Sequence, residues 1–553
     1  MSSSETIKIV ENKMFEAECD TGNIEYKSKL LNLNETRKQQ LATQLLYRLR
    51  EGNGECIYEI GIHDDGRIYG LTEQELNQSI ANLGIICEKV NAKINYTSVK
   101  KIPNEELMIA EIFIRNDYNC GNYIDLYVSV VGNVDAGKSS LIGVLTNGAL
   151  DNGRGRTRSM ITDFKHELDS GRTSTSTHHI IGFDSSGNLV NDKKDIKSKN
   201  WSDIVLESNK VITLNDLCGH EKYLRTTIYG VSSVCPDYCM VVISGNHGIT
   251  HMTKEHIALA LSLKIPFFIV LTKLDITPPN ILEATKSNII KLLKLPLLRK
   301  LPYFVKTESD IPIVSKNIMY ENCTPIFPVS NVTGQGLKEL KTFLNLLPQR
   351  KNYINEINQP LEFMIDGSYL ITGIGTVVSG ILNTGEIKVG DTVLLGPTTV
   401  NGDFIKTIIR SIHIKRTSCN RARAGHYCTL ALKKVNRNII RKGMVIISEN
   451  NPYRTSKEFT ANINIVQCHH TTIKLNYEPY LHIGCIRQSA KILSIENVVT
   501  KNNIDDDNVT LRTGDKALVR FKFSYKNEYI KPNMKLIFRE GKIRGIGLIQ
   551  EIF

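Results

Sequence analysis

The chain has 553 residues, with 69 Lys and Arg against 57 Asp and Glu, a formal net charge of +12. Hydrophobic residues at 41% and charged residues at 23% exclude a largely disordered or fibrous chain, and the length leaves room for about three or four domains. No apolar run approaches the ~18 residues of a membrane span, the stretch from Met1 to Lys13 lacks the apolar core of a secretory signal, and the 12 Cys form no CxxC pair, so a cytoplasmic protein with reduced thiols is expected.

The first 20 residues are polar and expected to be loose. Residues 21–120 read as a small α+β module. Leu41, Leu45, Leu46 and Leu49 recur at helical spacing, while Cys56, Tyr58, Ile60 and Ile62 alternate like a half-buried strand that turns at Asp65-Gly66 into Ile68-Tyr69. Thr72, with Glu75 three residues on, predicts a capping box and a helix towards Val90, and Leu107–Ile114 predicts another strand.

From residue 121 to 350 the pattern becomes α/β. Short apolar runs at Leu126–Val131, Val211–Leu214, Cys239–Ile243, Phe267–Leu271 and Ile326–Val329 alternate with helical stretches such as Lys254–Leu263 and Gly336–Leu346. That alternation predicts a mostly parallel sheet covered on both faces. After Pro348 short β-branched runs separated by Gly continue to the last residue, an all-β pattern predicting two β-barrels, residues 351–455 and 456–553.

Gly132-Asn133-Val134-Asp135-Ala136-Gly137-Lys138-Ser139, with Ser140 behind it, fits G-x-x-x-x-G-K-[ST] between a strand and a helix start. In that context it is a phosphate-binding loop whose backbone N–H groups wrap the β-phosphate. Lys138 supplies a point charge to the β/γ oxygens, and the Ser139 hydroxyl can ligate Mg²⁺. Asp216-Leu217-Cys218-Gly219-His220 ends the strand after residue 211. Asp216 there can hold Mg²⁺ through water, and Gly219 lets its N–H approach the γ-phosphate. Thr272-Lys273-Leu274-Asp275 follows the apolar run Phe267–Leu271; the Asp275 carboxylate can accept from both N1–H and N2–H₂ of guanine, which adenine cannot offer. Ser330 and Asn331 are placed to offer backbone N–H to guanine O6. Four elements in this order point to a Mg²⁺-dependent GTPase with GTP/GDP as its nucleotide.

These motifs, VVGNVDAGKSSL, DLCGHEKY, TKLD and VSNVTGQGL, resemble the G domain of translational GTPases related to elongation factor Tu and elongation factor 1-alpha. Gly373 to Gly380 resembles the signature of their second-domain barrel, and Leu511 to Asp515 with Phe538 to Gly541 and Gly545 to Gly547 resembles the third. Gly148 to Gly155, Lys165 to Ser174 and the module at 21–120 are similar to the GTP-binding protein 1 and 2 subfamily. The resemblance implies that Thr173 ligates Mg²⁺ when the γ-phosphate is present and that His220 positions the attacking water. With Lys138 and Gly219 these make the expected catalytic set; Ser139, Thr173 and Asp216 are the expected metal ligands.

Several features depart from the family pattern. Ala136 replaces a common histidine, and Thr272 stands where Asn is usual. Arg172 takes a place usually apolar, opposite Val134, leaving open an arginine acting on the phosphate in cis or a plain surface contact. Thr173 and Asp216 lie 43 positions apart, further than in the elongation factors, with a polar insertion at 183–201 expected as a hairpin and loop.

The charge is also uneven. Residues 1–120 hold 14 basic and 19 acidic side chains, and residues 351–553 hold 29 and 17. Eleven Lys or Arg and no acid occur from Phe404 to Lys442 (Lys406, Arg410, Lys415, Arg416, Arg421, Arg423, Lys433, Lys434, Arg437, Arg441, Lys442), marking Lys406–Lys442 as the expected RNA contact. The adjacent His469 and His470 on a strand point to opposite faces, which favours packing or an aminoacyl-tRNA contact over zinc. The expectation is a monomeric, elongation-factor-like GTPase that meets the ribosome and aminoacyl-tRNA, or other RNA, through residues 351–553 and no membrane. A GTP-switched RNA-decay or surveillance adaptor, bound to an RNA-decay complex, is the alternative, and the GTPase subunit of a sulfate-activating complex is a third.

Overall fold

Two side-chain caps start the first long helices. Asn34 accepts from the N–H of Arg37 to open α1 (Glu35–Glu51), and Thr72 with Glu75 forms the expected capping box of α2 (Glu73–Lys89). The computed structural model describes residues 15–103, 105–118, 122–162, 164–171, 173–192, 200–296, 298–320, 322–451, 455–467, 473–499, 510–540 and 543–553. Both helices lie against a sheet of β1 (Ile24–Lys27), β2 (Glu55–Ile60), β3 (Ala92–Lys101) and β4 (Met108–Asn116), ordered β1-β2-β4-β3. Because strand side chains alternate, Cys56, Tyr58, Ile112 and Ile114 pack under Leu41, Leu45, Leu83 and Ile86. Ile57 and Phe113 face the other way and join the core of the next sheet.

Two local expectations change here. Ile68-Tyr69 is not a second hairpin strand: the Gly66 N–H closes the turn onto His63, but only Ile62 and Ile68 bridge, because the chain then turns back towards the Thr72 cap. Strand β3 was not read from the sequence, since Lys93, Lys100 and Lys101 dilute its apolar alternation.

The following sheet has seven strands in the order β10-β11-β9-β8-β5-β7-β6: β5 (Ile124–Gly132), β6 (Thr177–Phe183), β7 (Lys210–Asp216), β8 (Tyr238–Ser244), β9 (Phe267–Thr272), β10 (Leu301–Phe304) and β11 (Cys323–Pro328). All neighbours pair in parallel except β6 with β7. The five apolar runs are β5, β7, β8, β9 and β11. The two strands not read from the sequence are edges: β6 opens with Thr-His-His, and β10 has four residues including Pro302. The longer helices along this stretch of chain are α3 (Lys138–Asn147), α4 (Leu224–Val234), α5 (His251–Ser262), α6 (Pro279–Leu293), α7 (Asp310–Asn317) and α8 (Leu337–Leu346). Of the insertion, Phe183 bridges Leu189 as a hairpin and Trp201–Glu207 is a helix, which the expected loop lacked; residues 193–199 lie outside the described residues.

One helical turn follows Pro348, Ile354–Ile357, whose first N–H is accepted by the Asn352 side chain at 2.9 Å. Beyond it, strands Glu362–Ile371, Gly375–Thr384, Thr392–Gly396, Ile405–Ile414, Tyr427–Leu432 and Val445–Ser448 form one sheet, and Thr392–Gly396 pairs with both Ile405–Ile414 and Val445–Ser448, which closes it. Six further strands, between Glu458 and Ile552, form a second closed barrel, around Phe459, Phe521 and Phe523.

The chain forms two compact units. One holds the residues up to Glu221 with Asp237–Ala260 and Ile265–Lys351; the other holds Lys222–Pro236, Leu261–Lys264 and Asn352–Phe553. Within the first, buried charges join the N-terminal sheet to the α/β sheet. The Lys210 ammonium, fully buried, donates to both Glu55 oxygens at 3.0 Å and to the carbonyls of Asn345 (2.9 Å) and Leu347 (2.5 Å). The buried Arg115 donates to Glu55 and to the Asn345 carbonyl, each at 2.8 Å. Two cations thus cap the C-terminal carbonyls of α8, where the helix dipole is negative, and both pair with the one carboxylate of Glu55. Burial draws Lys210 down to about 8 against the pull of Glu55; burial would raise Glu55, but Lys210 and Arg115 hold it low.

Removing one partner of a buried ionic cluster strands the others. Glu55→Ala is expected to lower the stability of this unit by about 3–5 kcal/mol in chemical denaturation. Lys93→Ala, which breaks an exposed pair with Asp117, is expected to cost about 0–1 kcal/mol.

Candidate functional site

Strand β5 ends at Gly132 and α3 begins at Lys138, so the loop between them lies at the C-terminal edge of the parallel strands, where open α/β sheets bind ligands. Asp135 (φ 58°) and Gly137 (φ 86°) turn left-handed, folding the loop over the α3 N-terminus. The Lys138 ammonium is buried and donates to the carbonyls of Asn133 (3.0 Å) and Gly132 (3.2 Å). Burial lowers its pKa, with Asp216 pulling the other way; an anionic phosphate is the counter-charge this site suits. Asn133 and Val134 are half-buried, Asp135 is exposed, and Ser140 is half-buried on the first turn of α3. Ala136 is buried in the sheet's core, a place that suits its small side chain.

Three segments meet beside Lys138. The Ser139 hydroxyl donates to Asp216 Oδ2 at 2.6 Å and lies 3.0 Å from the Thr173 hydroxyl. Asp216 is buried at the end of β7, its other oxygen, Oδ1, has no hydrogen-bond partner among the described residues, and burial raises its pKa. Two hydroxyls and a carboxylate with one oxygen left open are an all-oxygen set of the kind Mg²⁺ takes, so the residues present fit that ion. Gly219 presses on the loop: a Cβ there would lie 2.5 Å from Lys138 Nζ and 2.6 Å from the Gly132 carbonyl. His220 follows, half-buried, ahead of a 3-10 turn at Glu221–Tyr223.

The base-reading residues converge from two strand ends. Thr272 is fully buried and donates to the Ala136 carbonyl at 2.7 Å and to the Ile243 carbonyl at 3.3 Å. A hydroxyl therefore ties β9 to the phosphate loop in the place where Asn is usual. Lys273 takes φ 61° and leads into a 3-10 turn carrying the exposed Asp275. The buried Ser330 hydroxyl donates to Asp275 Oδ1 at 2.7 Å and accepts from the N–H of Thr333 at 3.1 Å. Asn331 Oδ1 is buried without a partner, and its backbone carbonyl accepts from the Asp151 N–H at 2.9 Å.

The structure thus gathers residues 132–140, Thr173, Asp216, Gly219, His220, Thr272, Lys273, Asp275, Ser330 and Asn331 along one edge of the sheet. Arg172, His469 and His470 lie outside the described residues. Residues the motifs did not flag also belong here: Glu167 and Arg158 hold the segment carrying Thr173. Their polar, Gly-rich surroundings carry no periodic signal that would have marked them.

The basic cluster divides in the other unit. Lys406, Arg423 and Arg441 make ion pairs with Glu449, Glu386 and Glu528. Arg410, Lys433, Lys434 and Arg437 instead line a groove of about 760 Å³ on the first barrel, with Leu370, Ile374, Val389 and Ile408 as its apolar wall.

The family model of the elongation factor Tu GTP binding domain matches residues 126–350, and that of elongation factor Tu domain 2 matches residues 375–447. GTP-binding protein 1 of Xenopus laevis is 42% identical over 533 residues, covering 96% of this chain and 79% of that protein. GTP-binding protein 2 of Homo sapiens is 41% identical over 543 residues, covering 97% and 88%. Among solved structures, apo translation elongation factor SelB from Methanococcus maripaludis is similar with a TM-score of 0.54 at 21% identity, covering 78% of this chain and 80% of that one; this likeness is one of fold.

Thr272→Val keeps the shape and removes the hydroxyl that holds the phosphate loop. Nucleotide affinity is expected to fall about threefold to tenfold, the worth of one net hydrogen bond, measured by titration with a fluorescent guanine nucleotide.

Proposed function

The chain belongs to the translational GTPase family of elongation factor Tu, in the branch of GTP-binding proteins 1 and 2, and from that premise we propose that it is an elongation-factor-like switch acting with the ribosome and aminoacyl-tRNA or other RNA in the cytoplasm. Guanine nucleotide binding and GTP hydrolysis come with the family. The observation carrying the assignment of individual residues is that the Ser139 hydroxyl contacts both the Thr173 hydroxyl and Asp216 Oδ2, while the second Asp216 oxygen has no hydrogen-bond partner among the described residues.

The nucleotide would enter with its base at Asp275 and its phosphates over the α3 N-terminus. Ser330 orients the Asp275 carboxylate to accept from the guanine N1–H and N2–H₂. Loop N–H groups and Lys138 hold the β- and γ-phosphates, and the Gly219 N–H takes a γ-oxygen. Ser139, Thr173 and Asp216 would hold Mg²⁺, which neutralises charge developing on the phosphate oxygens. His220 orients a water for in-line attack: the water oxygen bonds to the γ-phosphorus, the β–γ bridging bond breaks, and GDP and phosphate leave. The protein's share is positioning and charge stabilisation. Thr173 sits on a segment that hydrolysis would release, which makes the nucleotide a switch.

The groove on the first barrel supports RNA as the partner. Its four cations suit phosphates, and its exposed apolar wall (Leu370 is 73% exposed) suits a stacked base or an aminoacyl group. Among the described residues no helix is long and apolar enough to cross a membrane.

GTP hydrolysis is to be measured with and without ribosomes. Ribosomes are expected to stimulate the wild type, and His220→Ala to lose about 10²-fold or more of that rate while still binding GTP. Absent stimulation and absent tRNA binding, together with capture of an RNA-decay complex, would move the function to the adaptor.

A further inference from the structure

Thr173 is held from both sides, and only one of those sides comes from the sheet. On its C-terminal side, the Ser176 hydroxyl donates to Asn215 Oδ1 at 2.7 Å, and β6 pairs with β7 so that Thr177 stands opposite Asp216. On its N-terminal side no strand adjoins it among the described residues. Instead, the helical turn Lys165–Ser170 carries Glu167, which is 5% exposed. One oxygen of that carboxylate, Oε1, accepts from the Ser174 N–H (2.8 Å), the Ser174 hydroxyl (2.8 Å), the Thr175 N–H (2.9 Å) and the Thr175 hydroxyl (2.8 Å). Arg158 holds the same turn from the other direction: its Nη1 donates to the Gly171 carbonyl at 2.5 Å, and Gly171 takes φ 68° to end the turn.

We propose that Glu167 is a positioning residue for GTP hydrolysis, its carboxylate latching the backbone at Ser174 and Thr175 so that the Thr173 hydroxyl stands beside Ser139 and Asp216. The inference rests on the GTPase reading above. Two of the four donors are backbone N–H groups of the two residues directly after Thr173, so letting go of Glu167 frees the chain at the point where Thr173 must be placed. A buried carboxylate is costly unless fully hydrogen-bonded, and here the four donors meet that cost: burial would raise the Glu167 carboxyl, but the bonds from Ser174 and Thr175 overcome it and hold the group below its usual range. The latch stays charged, and charge-assisted hydrogen bonds are the stronger kind. Its counterpart across the site is the 3.0 Å approach of Thr173 to Ser139. Glu167 itself is not a ligand of nucleotide or metal. It acts through Thr173, so its effect falls on the triphosphate state, in which Thr173 is engaged, and spares the diphosphate state.

The test uses the full-length chain with Mg²⁺ and compares wild type, Glu167→Ala and Glu167→Gln for affinity to GDP, affinity to a non-hydrolysable GTP analogue, and single-turnover GTP hydrolysis. Glu167→Ala is expected to weaken the analogue and slow hydrolysis by about tenfold, the effect of one charge-assisted hydrogen bond, with GDP affinity unchanged. Glu167→Gln, which keeps an acceptor oxygen at the same reach but loses the charge, is expected to recover part of both. Equal loss of GDP and analogue in Glu167→Ala would overturn the proposal by showing a plain folding role, and so would the absence of any loss. If the wild type bound neither nucleotide, the GTPase reading itself would fall; a wild type that hydrolyses GTP beside an unaffected Glu167→Ala would overturn the latch alone.

Discussion

Strand β7 buries a charge at each end, and burying a charge demands partners. At its start, Lys210 meets Glu55, Asn345 and Leu347, and every hydrogen of its ammonium has an acceptor. At its other end, Asp216 has Ser139 on one oxygen, and the other has no hydrogen-bond partner among the described residues. The same strand therefore serves two purposes. Its satisfied end joins the N-terminal sheet, the α/β sheet and the C-terminus of α8 into one unit; its unsatisfied end supplies an open acceptor where a cation and a triphosphate are expected.

This division explains how the N-terminal sheet can be firmly attached without occupying the site. Glu55 and Arg115 lie on β2 and β4, and they meet the α/β sheet at the strand starts. The phosphate loop, Thr272 and Ser330 lie at the strand ends. A second ionic contact, of Lys316 on α7 with Glu59 and Glu111, adds to the attachment. In the other unit, α4, which begins four residues after His220, packs with the barrels: the Tyr229 hydroxyl donates to the Asp366 carbonyl at 2.9 Å and Ser232 to the Gly484 carbonyl at 3.1 Å. The Lys442 ammonium lies 4.7 Å from the Tyr229 ring, so this member of the basic cluster serves packing.

Much of the site was legible in the sequence because its chemistry is local. A phosphate loop must be contiguous to curl round a phosphate, so residues 132–139 announce it; Asp216 ends a buried strand and Asp275 follows three residues after another, each an apolar run in the sequence. What stayed hidden depends on partners far along the chain. Lys210 and Glu55 are 155 positions apart, and nothing in either neighbourhood marks a buried pair. Strands β6 and β10 lie at sheet edges, where burial is partial and the apolar run shortens. Glu167 sits among exposed polar residues and gains its role only when Ser174 and Thr175 fold back onto it. Eleven cations between Lys406 and Lys442 read as one patch, but carboxylates brought up by the fold neutralise some of them, leaving Arg410, Lys433, Lys434 and Arg437 around the groove.

The central claim is that the open oxygen of Asp216 exists for a divalent cation that accompanies GTP. Calorimetric titration of the full chain with a non-hydrolysable GTP analogue, with and without Mg²⁺, tests it directly when wild type is compared with Asp216→Asn. The account predicts that Mg²⁺ raises the wild-type affinity by about tenfold or more, the contribution of a single charged ligand, and that Asp216→Asn loses this gain while keeping its Mg²⁺-free affinity. An Asp216→Asn protein that responds to Mg²⁺ as the wild type does would contradict it.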